Sequence, residues 1–206
     1  MTKAAKQAHR RLAYFIGLFL IMHFAAHFAA PFGITAQETA MAAGRRVYQY
    51  WLFEIALVMA LIVQIALGIS LLRGIRRRKR KDIWHRIQFL SAVYMVLFIV
   101  MHTAAALSTR LIIGLDTNFY WAAGTVVISP LKFGFAPYYL LAVTALFSHI
   151  IAALHFRGPR QWHGPILAAG PLAGVLIVAA YSGALYPVDL PAAYSDYFGG
   201  FPGAGG

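Results

Sequence analysis

Five long apolar segments constrain the fold of this chain more than any other feature of its sequence. They cover residues 12–30, 47–72, 87–107, 137–156 and 165–186. At 1.5 Å per residue, each helix formed by such a segment is long enough to cross a hydrocarbon layer of about 30 Å. The sequence therefore predicts an all-α bundle of five transmembrane helices, with residues 1–187 forming one domain and residues 188–206 a tail.

The distribution of basic residues predicts how this bundle is oriented. Of the 18 Lys and Arg residues, 14 lie before the first span, in residues 73–86 and in residues 157–160. Because positive loops stay on the cytoplasmic side, the amino terminus is predicted to be cytoplasmic and the protein to be a multi-pass protein of a bacterial inner membrane. The net charge of +12 is then explained by topology and membrane lipid rather than by nucleic acid. The basic run at residues 76–81 is either a topology anchor or a docking patch for an acidic partner.

The absence of cysteine limits the redox chemistry of the chain. Disulfides, iron–sulfur ligation and covalent attachment of a c-type haem all need cysteine, so any haem bound here is of the non-covalent b type. Short loops leave no room for a separate catalytic domain. Flavin or iron–sulfur domains, if the function needs them, are expected on other chains.

Four histidines lie inside the predicted spans, where an ionisable side chain is costly and usually functional. His23 and His102 come out at similar depth in the non-cytoplasmic half, on helices that run in the same direction. Two such imidazoles can bind one haem iron from opposite faces of the porphyrin. The alternative is that each imidazole only hydrogen-bonds a neighbouring helix. His27 follows His23 by one helical turn and could replace it as ligand, but it is predicted instead to bond a haem propionate or a quinone head group.

The fourth histidine, His149, is predicted to lie in the cytoplasmic half at the depth of Gln64. Glutamine is a poor haem ligand, so a second haem there would need another partner, such as His85 or His155, or would leave one axial position open. Alternatively, His149 and Gln64 simply hydrogen-bond each other. The remaining histidines lie at the cytoplasmic boundary, where no special role is required: His9, His85, His155 and His163.

Two carboxylates and four cations fall on the non-cytoplasmic side. Glu38, in the first outer loop, and Glu54, early in the second span, could each accept a proton released by a quinol. Glu54 could instead only pair with an arginine. Candidates to bind haem propionates are Arg45, Arg46, Arg110 and Lys132. The outer loops cover residues 33–46 and 112–135, and the tail is expected to lack regular structure unless it covers this face.

Three short segments in their order along the chain carry a resemblance to a known family. They are residues 17–23 (GLFLIMH), residues 100–102 (VMH) and residues 139–149, which begin YLL and end SH. With the five spans, they resemble the cytochrome b membrane subunit of di-haem succinate dehydrogenase and fumarate reductase complexes (succinate:quinone oxidoreductases).

That family binds two haems through four histidines, one on each of the first four helices. The resemblance implies that His23 and His102 hold the outer haem b and that His149 is one ligand of an inner haem. Gln64 stands where the second-helix histidine is expected, so a second haem is in question. The resemblance also places Glu38 near an outer-side quinone pocket.

The function predicted from these features is electron transfer between a quinone pool and a partner redox protein by a b-type cytochrome subunit. The partner is expected to be a flavoprotein with an iron–sulfur protein, or a periplasmic carrier. The alternative is a haem-free or mono-haem membrane anchor or assembly subunit of another complex. A small transporter is disfavoured, since the spans show no inverted repeat.

Overall fold

The computed structural model describes residues 3–76 and 82–202. Residues 77–81, most of the predicted basic anchor, lie outside the described residues. Within the described ranges the regular elements are helical, and no β-strand occurs. The α-helices are α1 Lys3–Ala29, α2 Ile34–Tyr48, α3 Trp51–Arg76, α4 Ile83–Ser108, α5 Phe119–Val127, α6 Leu131–His155, α7 His163–Ile166, α8 Ala169–Tyr181 and α9 Ala192–Gly199.

Five helical stretches of the described chain are long and apolar enough to cross a membrane, which confirms the predicted bundle. They are Lys3–Phe32, Trp51–Gly74, Ile83–Ile113, Leu131–His155 and His163–Tyr181. The first continues α1 through a 3-10 turn, and the third continues α4 through a π-helical turn that ends at Gly114 in the left-handed conformation.

Helices α2, α5 and α9 lie together at one end of the bundle, which we call the capped end. The other end, where α1 begins, is called the amino-terminal end.

The tail was expected to lack structure unless it covered a face, and it does cover one. Tyr194 and Phe198 of α9 are buried against Trp121 of α5, and the Tyr194 hydroxyl donates a hydrogen bond to the Asp116 carbonyl at 3.0 Å. The predicted outer loops are therefore largely helical.

The packing of α8 on α6 depends on two glycines, Gly170 and Gly174, spaced four residues apart. Small residues at this spacing let transmembrane helices approach closely. A Cβ atom at Gly174 would lie 2.8 Å from Leu140 Cδ1 and 3.1 Å from the Leu140 carbonyl oxygen. The α6–α8 contact therefore leaves no room for a side chain at this position.

We expect Gly174→Ala to destabilise the protein by about 1–3 kcal/mol, because the added methyl group forces the two helices apart. Thermal unfolding in detergent, followed by circular dichroism, measures this effect. Gly134→Ala is the matched control in α6, because a Cβ there meets nothing within 4 Å. Equal melting temperatures for the two variants would contradict this account of the α6–α8 contact.

Candidate functional site

An apolar cavity of about 430 Å³ runs between the spans. This volume is within the range of pockets that bind cofactors and other small molecules. Along α4 and the π-helical turn that continues it, the lining extends from Met95 to Arg110. These two residues are 15 positions apart, which corresponds to about 22 Å of helix. The cavity therefore extends along the spans, and the predicted site residues divide between its two ends.

The two predicted axial ligands, His23 of α1 and His102 of α4, both line this cavity. Their ring centroids are 6.1 Å apart. Two metal–nitrogen bonds of about 2 Å, plus about 1 Å from each nitrogen to its ring centre, place the centroids of two imidazoles on one metal about 6 Å apart. Each ring also stacks on an aromatic neighbour, since His102 lies 5.0 Å from Phe98 and His23 lies 5.2 Å from Phe19. The separation therefore fits a bis-histidine haem site.

His27 lies beside this pair, as its one-turn spacing from His23 predicts. Its Nε2 is 3.1 Å from His23 Nε2, and its Nδ1 is 3.0 Å from the Tyr181 hydroxyl. The three side chains form a hydrogen-bonded chain from α1 to α8. For His23 Nε2 to bind a metal, it would have to exchange its contact with His27 for the metal bond.

Ion pairs neutralise the charged residues at the capped end of the cavity. Glu54 pairs with Arg110, and Arg45 pairs with Asp116 at 2.8 Å. The structure therefore confirms that Glu54 has an arginine partner. Arg45 and Arg110 line the cavity, whereas Arg46 is exposed. The remaining candidates, Arg46, Lys132 and Glu38, are not among the residues that line the cavity.

Lys132, a fourth candidate for binding propionates, lies over the ring of Phe133 and not among the cavity-lining residues. Tyr48 does line the capped end, and burial raises the pKa of its phenol. A tyrosine hydroxyl is protonated at neutral pH, and the raised pKa keeps it so. Tyr48 therefore adds a hydrogen-bonding group but no charge.

Two polar atoms at the capped end have no hydrogen-bond partner among the described residues. They are Gln37 Oε1 and Trp121 Nε1, and both side chains are buried and line the cavity. An unsatisfied buried polar atom costs about 1–3 kcal/mol, so a polar ligand group in the cavity would stabilise this arrangement. Glu38, the carboxylate predicted for a quinone pocket, is absent from the lining, and its neighbour Gln37 occupies that place.

At the amino-terminal end, the hydrogen bond between Gln64 and His149 that was left open as an alternative does not form. Gln64 Nε2 lies 3.4 Å from Nε2 of His9, and His149 Nδ1 lies 3.5 Å from Ser91 Oγ. His9 was assigned to the membrane boundary, but it reaches inward because α1 begins at Lys3 and is longer than predicted. Its spacing of 14 residues from His23, nearly four helical turns, is the sequence signal that places both on one face.

His85 and His155 were the other candidates to join His149 around a second haem. The structure places neither in the cavity lining. His85 lies 2.7 Å from Asp82, and His155 stacks on Trp84 with ring centroids 4.0 Å apart. These contacts correct the prediction that either histidine is available to His149.

The described residues contain no cluster of three or more His, Cys, Asp and Glu side chains arranged to hold a metal ion. A haem needs fewer protein ligands, because the porphyrin nitrogens supply four of the six coordination positions. The pair His23 and His102 is sufficient for that purpose. No protein-family model, curated protein or solved structure matches the chain.

Proposed function

We propose that this protein is a b-type cytochrome that transfers electrons between a membrane quinone pool and a partner redox protein. The observation that carries the proposal is the 6.1 Å separation of the His23 and His102 rings inside an apolar cavity between the spans. Imidazoles in such a setting are costly unless they have a function, and this separation suits two axial ligands of one iron.

His23 and His102 would hold the haem from its two faces, while Phe19 and Phe98 keep the imidazole rings in place through stacking. When bound, the haem supplies reversible one-electron transfer. The polar residues that line the cavity at the capped end would receive its carboxylate groups. The apolar side chains elsewhere in the lining would exclude water from the two imidazoles and so tune the reduction potential of the bound group.

Membrane orientation and partners are part of the same proposal. By the distribution of Lys and Arg, the capped end faces away from the cytoplasm of a bacterium. The quinone is then the lipid-soluble partner. A flavoprotein with an iron–sulfur protein, or a periplasmic carrier, is the second partner.

A haem-free anchor subunit is the second candidate function, and one observation favours it. The hydrogen-bonded chain of His23, His27 and Tyr181 satisfies two of the intramembrane imidazoles without any metal. Such a chain could serve only to fix α1 against α8.

A reduced-minus-oxidised optical spectrum of the detergent-purified full chain, with a pyridine haemochrome count, separates the two candidates. We expect one haem b per chain and the spectrum of a six-coordinate, low-spin iron. A preparation that is helical and monodisperse but lacks haem after expression with a haem precursor would contradict the cytochrome proposal and favour the anchor.

A further inference from the structure

The amino-terminal end of the cavity has the features of a second ligand site, separate from the imidazole pair. His149 contacts Ser91, which precedes His102 by 11 residues on α4, so this end lies about 16 Å along the helix from the level of His102. Gln64 and His149 are the polar residues that line this end of the cavity. Apolar side chains surround them, among them Leu61, Leu146 and Ile150.

The hydrogen bonds around His149 determine which of its nitrogens carries the proton. The Ser91 hydroxyl donates its single hydrogen to the Gln88 carbonyl at 3.2 Å. With that hydrogen on the Gln88 carbonyl, the Ser91 oxygen accepts from His149 Nδ1 at 3.5 Å, and Nδ1 is then the protonated nitrogen. In the neutral imidazole, Nε2 then carries a lone pair, and His149 offers a hydrogen-bond acceptor.

Gln64 offers a second acceptor at the same end. Its amide nitrogen donates to His9 Nε2, and its Oε1 is buried with no partner among the described residues. The charged residues of the cavity lining, Arg45, Glu54 and Arg110, all belong to the capped end. His9 Nδ1, another buried atom at this end without a partner among the described residues, is not part of the cavity lining. The lining of the amino-terminal end therefore suits a neutral, apolar ligand that donates hydrogen bonds rather than accepting them.

We propose that this end of the cavity binds the reduced headgroup of a quinone, an aromatic ring with two hydroxyl groups. One hydroxyl donates to Gln64 Oε1 and the other to His149 Nε2, and the apolar side chains contact the ring. The choice of a quinol as ligand rests on the proposed function. The site itself depends only on the two acceptors and the apolar lining. It favours the quinol over the quinone, whose carbonyl oxygens would meet two acceptors without a hydrogen between them.

The test is the binding of menadiol and menadione to the detergent-purified full chain under anaerobic conditions, measured by calorimetry. We expect the wild-type protein to bind menadiol at least about tenfold more tightly than menadione, since only menadiol donates hydrogen bonds. Gln64→Leu should weaken menadiol binding about tenfold and leave menadione binding unchanged. Gln7→Leu is the matched control, because Gln7 is exposed on α1 and absent from the cavity lining, and it should change neither affinity.

Three results would overturn the proposal, and a fourth separates it from the proposed function. Equal binding of the two forms by the wild type does so without any variant, even if Gln64→Leu fails to fold. Loss of menadiol binding in Gln37→Leu instead of Gln64→Leu would move the site to the capped end. A count of two haems per chain that falls to one in His149→Ala would mean that His149 Nε2 binds a haem iron and is not an acceptor for the quinol. A chain without haem that still binds menadiol through Gln64 would contradict the proposed cytochrome function and leave the quinol site standing.

Discussion

Replacing His102 with alanine is expected to lower the haem content of the purified protein at least tenfold. His102 lies 6.1 Å from His23 between ring centroids, a spacing that suits two ligands of one iron, and the side chains near it are mainly aromatic or aliphatic. His23→Ala should have the same effect, unless His27 turns to replace it. A pyridine haemochrome count, normalised to protein by amino-acid analysis, measures the loss.

His149→Ala is the control for this experiment, because it removes an intramembrane imidazole at the other end of the same cavity. We expect it to keep one haem per chain with an unchanged low-spin spectrum. If His149→Ala lost the haem and His102→Ala retained it, the assignment of the axial ligands to His23 and His102 would be wrong.

Removing Arg110 alone is expected to destabilise the protein by about 2 kcal/mol, because Glu54 would be left charged beside an apolar cavity without its partner. Breaking a fully buried pair costs about 3–5 kcal/mol, and the value here is smaller because both side chains keep about a quarter of their exposure (22% and 25%). Unfolding of Arg110→Leu in mixed detergent, followed by circular dichroism, gives the free-energy difference.

The double variant Glu54→Leu with Arg110→Leu separates the ion pair from simple loss of packing. We expect it to be more stable than Arg110→Leu, since no charge remains unpaired. Arg46→Leu is the control, as Arg46 is exposed one position from Arg45, and its effect should stay within about 0.5 kcal/mol. Additive losses in the double variant would mean that the pair contributes no coupling energy.

Hydrophobic length predicts the five spans but not where each begins. The fourth span was predicted to begin at Pro137, where the apolar segment was taken to start. Helix α6 instead begins at Leu131 and contains Pro137. A proline within a membrane helix is tolerated where neighbouring groups satisfy the freed carbonyl. The helical character of α2 and α9 was also missed, because neither segment is an apolar run long enough to mark a span.

Depth along a helix was sufficient to pair His23 with His102, since the depth of each follows from counting residues from the end of its span. It failed for Gln64, His149 and His9, because a hydrogen bond depends on rotation about the helix axis and on which helices are neighbours. The same applies at the capped end. Gln37 reaches the cavity and Glu38 does not because α2 is helical and turns adjacent side chains by about 100°.

The position of α9 has a consequence for biogenesis. Trp121 lines the cavity on one side and packs against Tyr194 and Phe198 on the other. Because α9 follows all five spans along the chain, it is synthesised after them. The contact that closes the capped end over Trp121 is therefore made by the segment of these that is synthesised last.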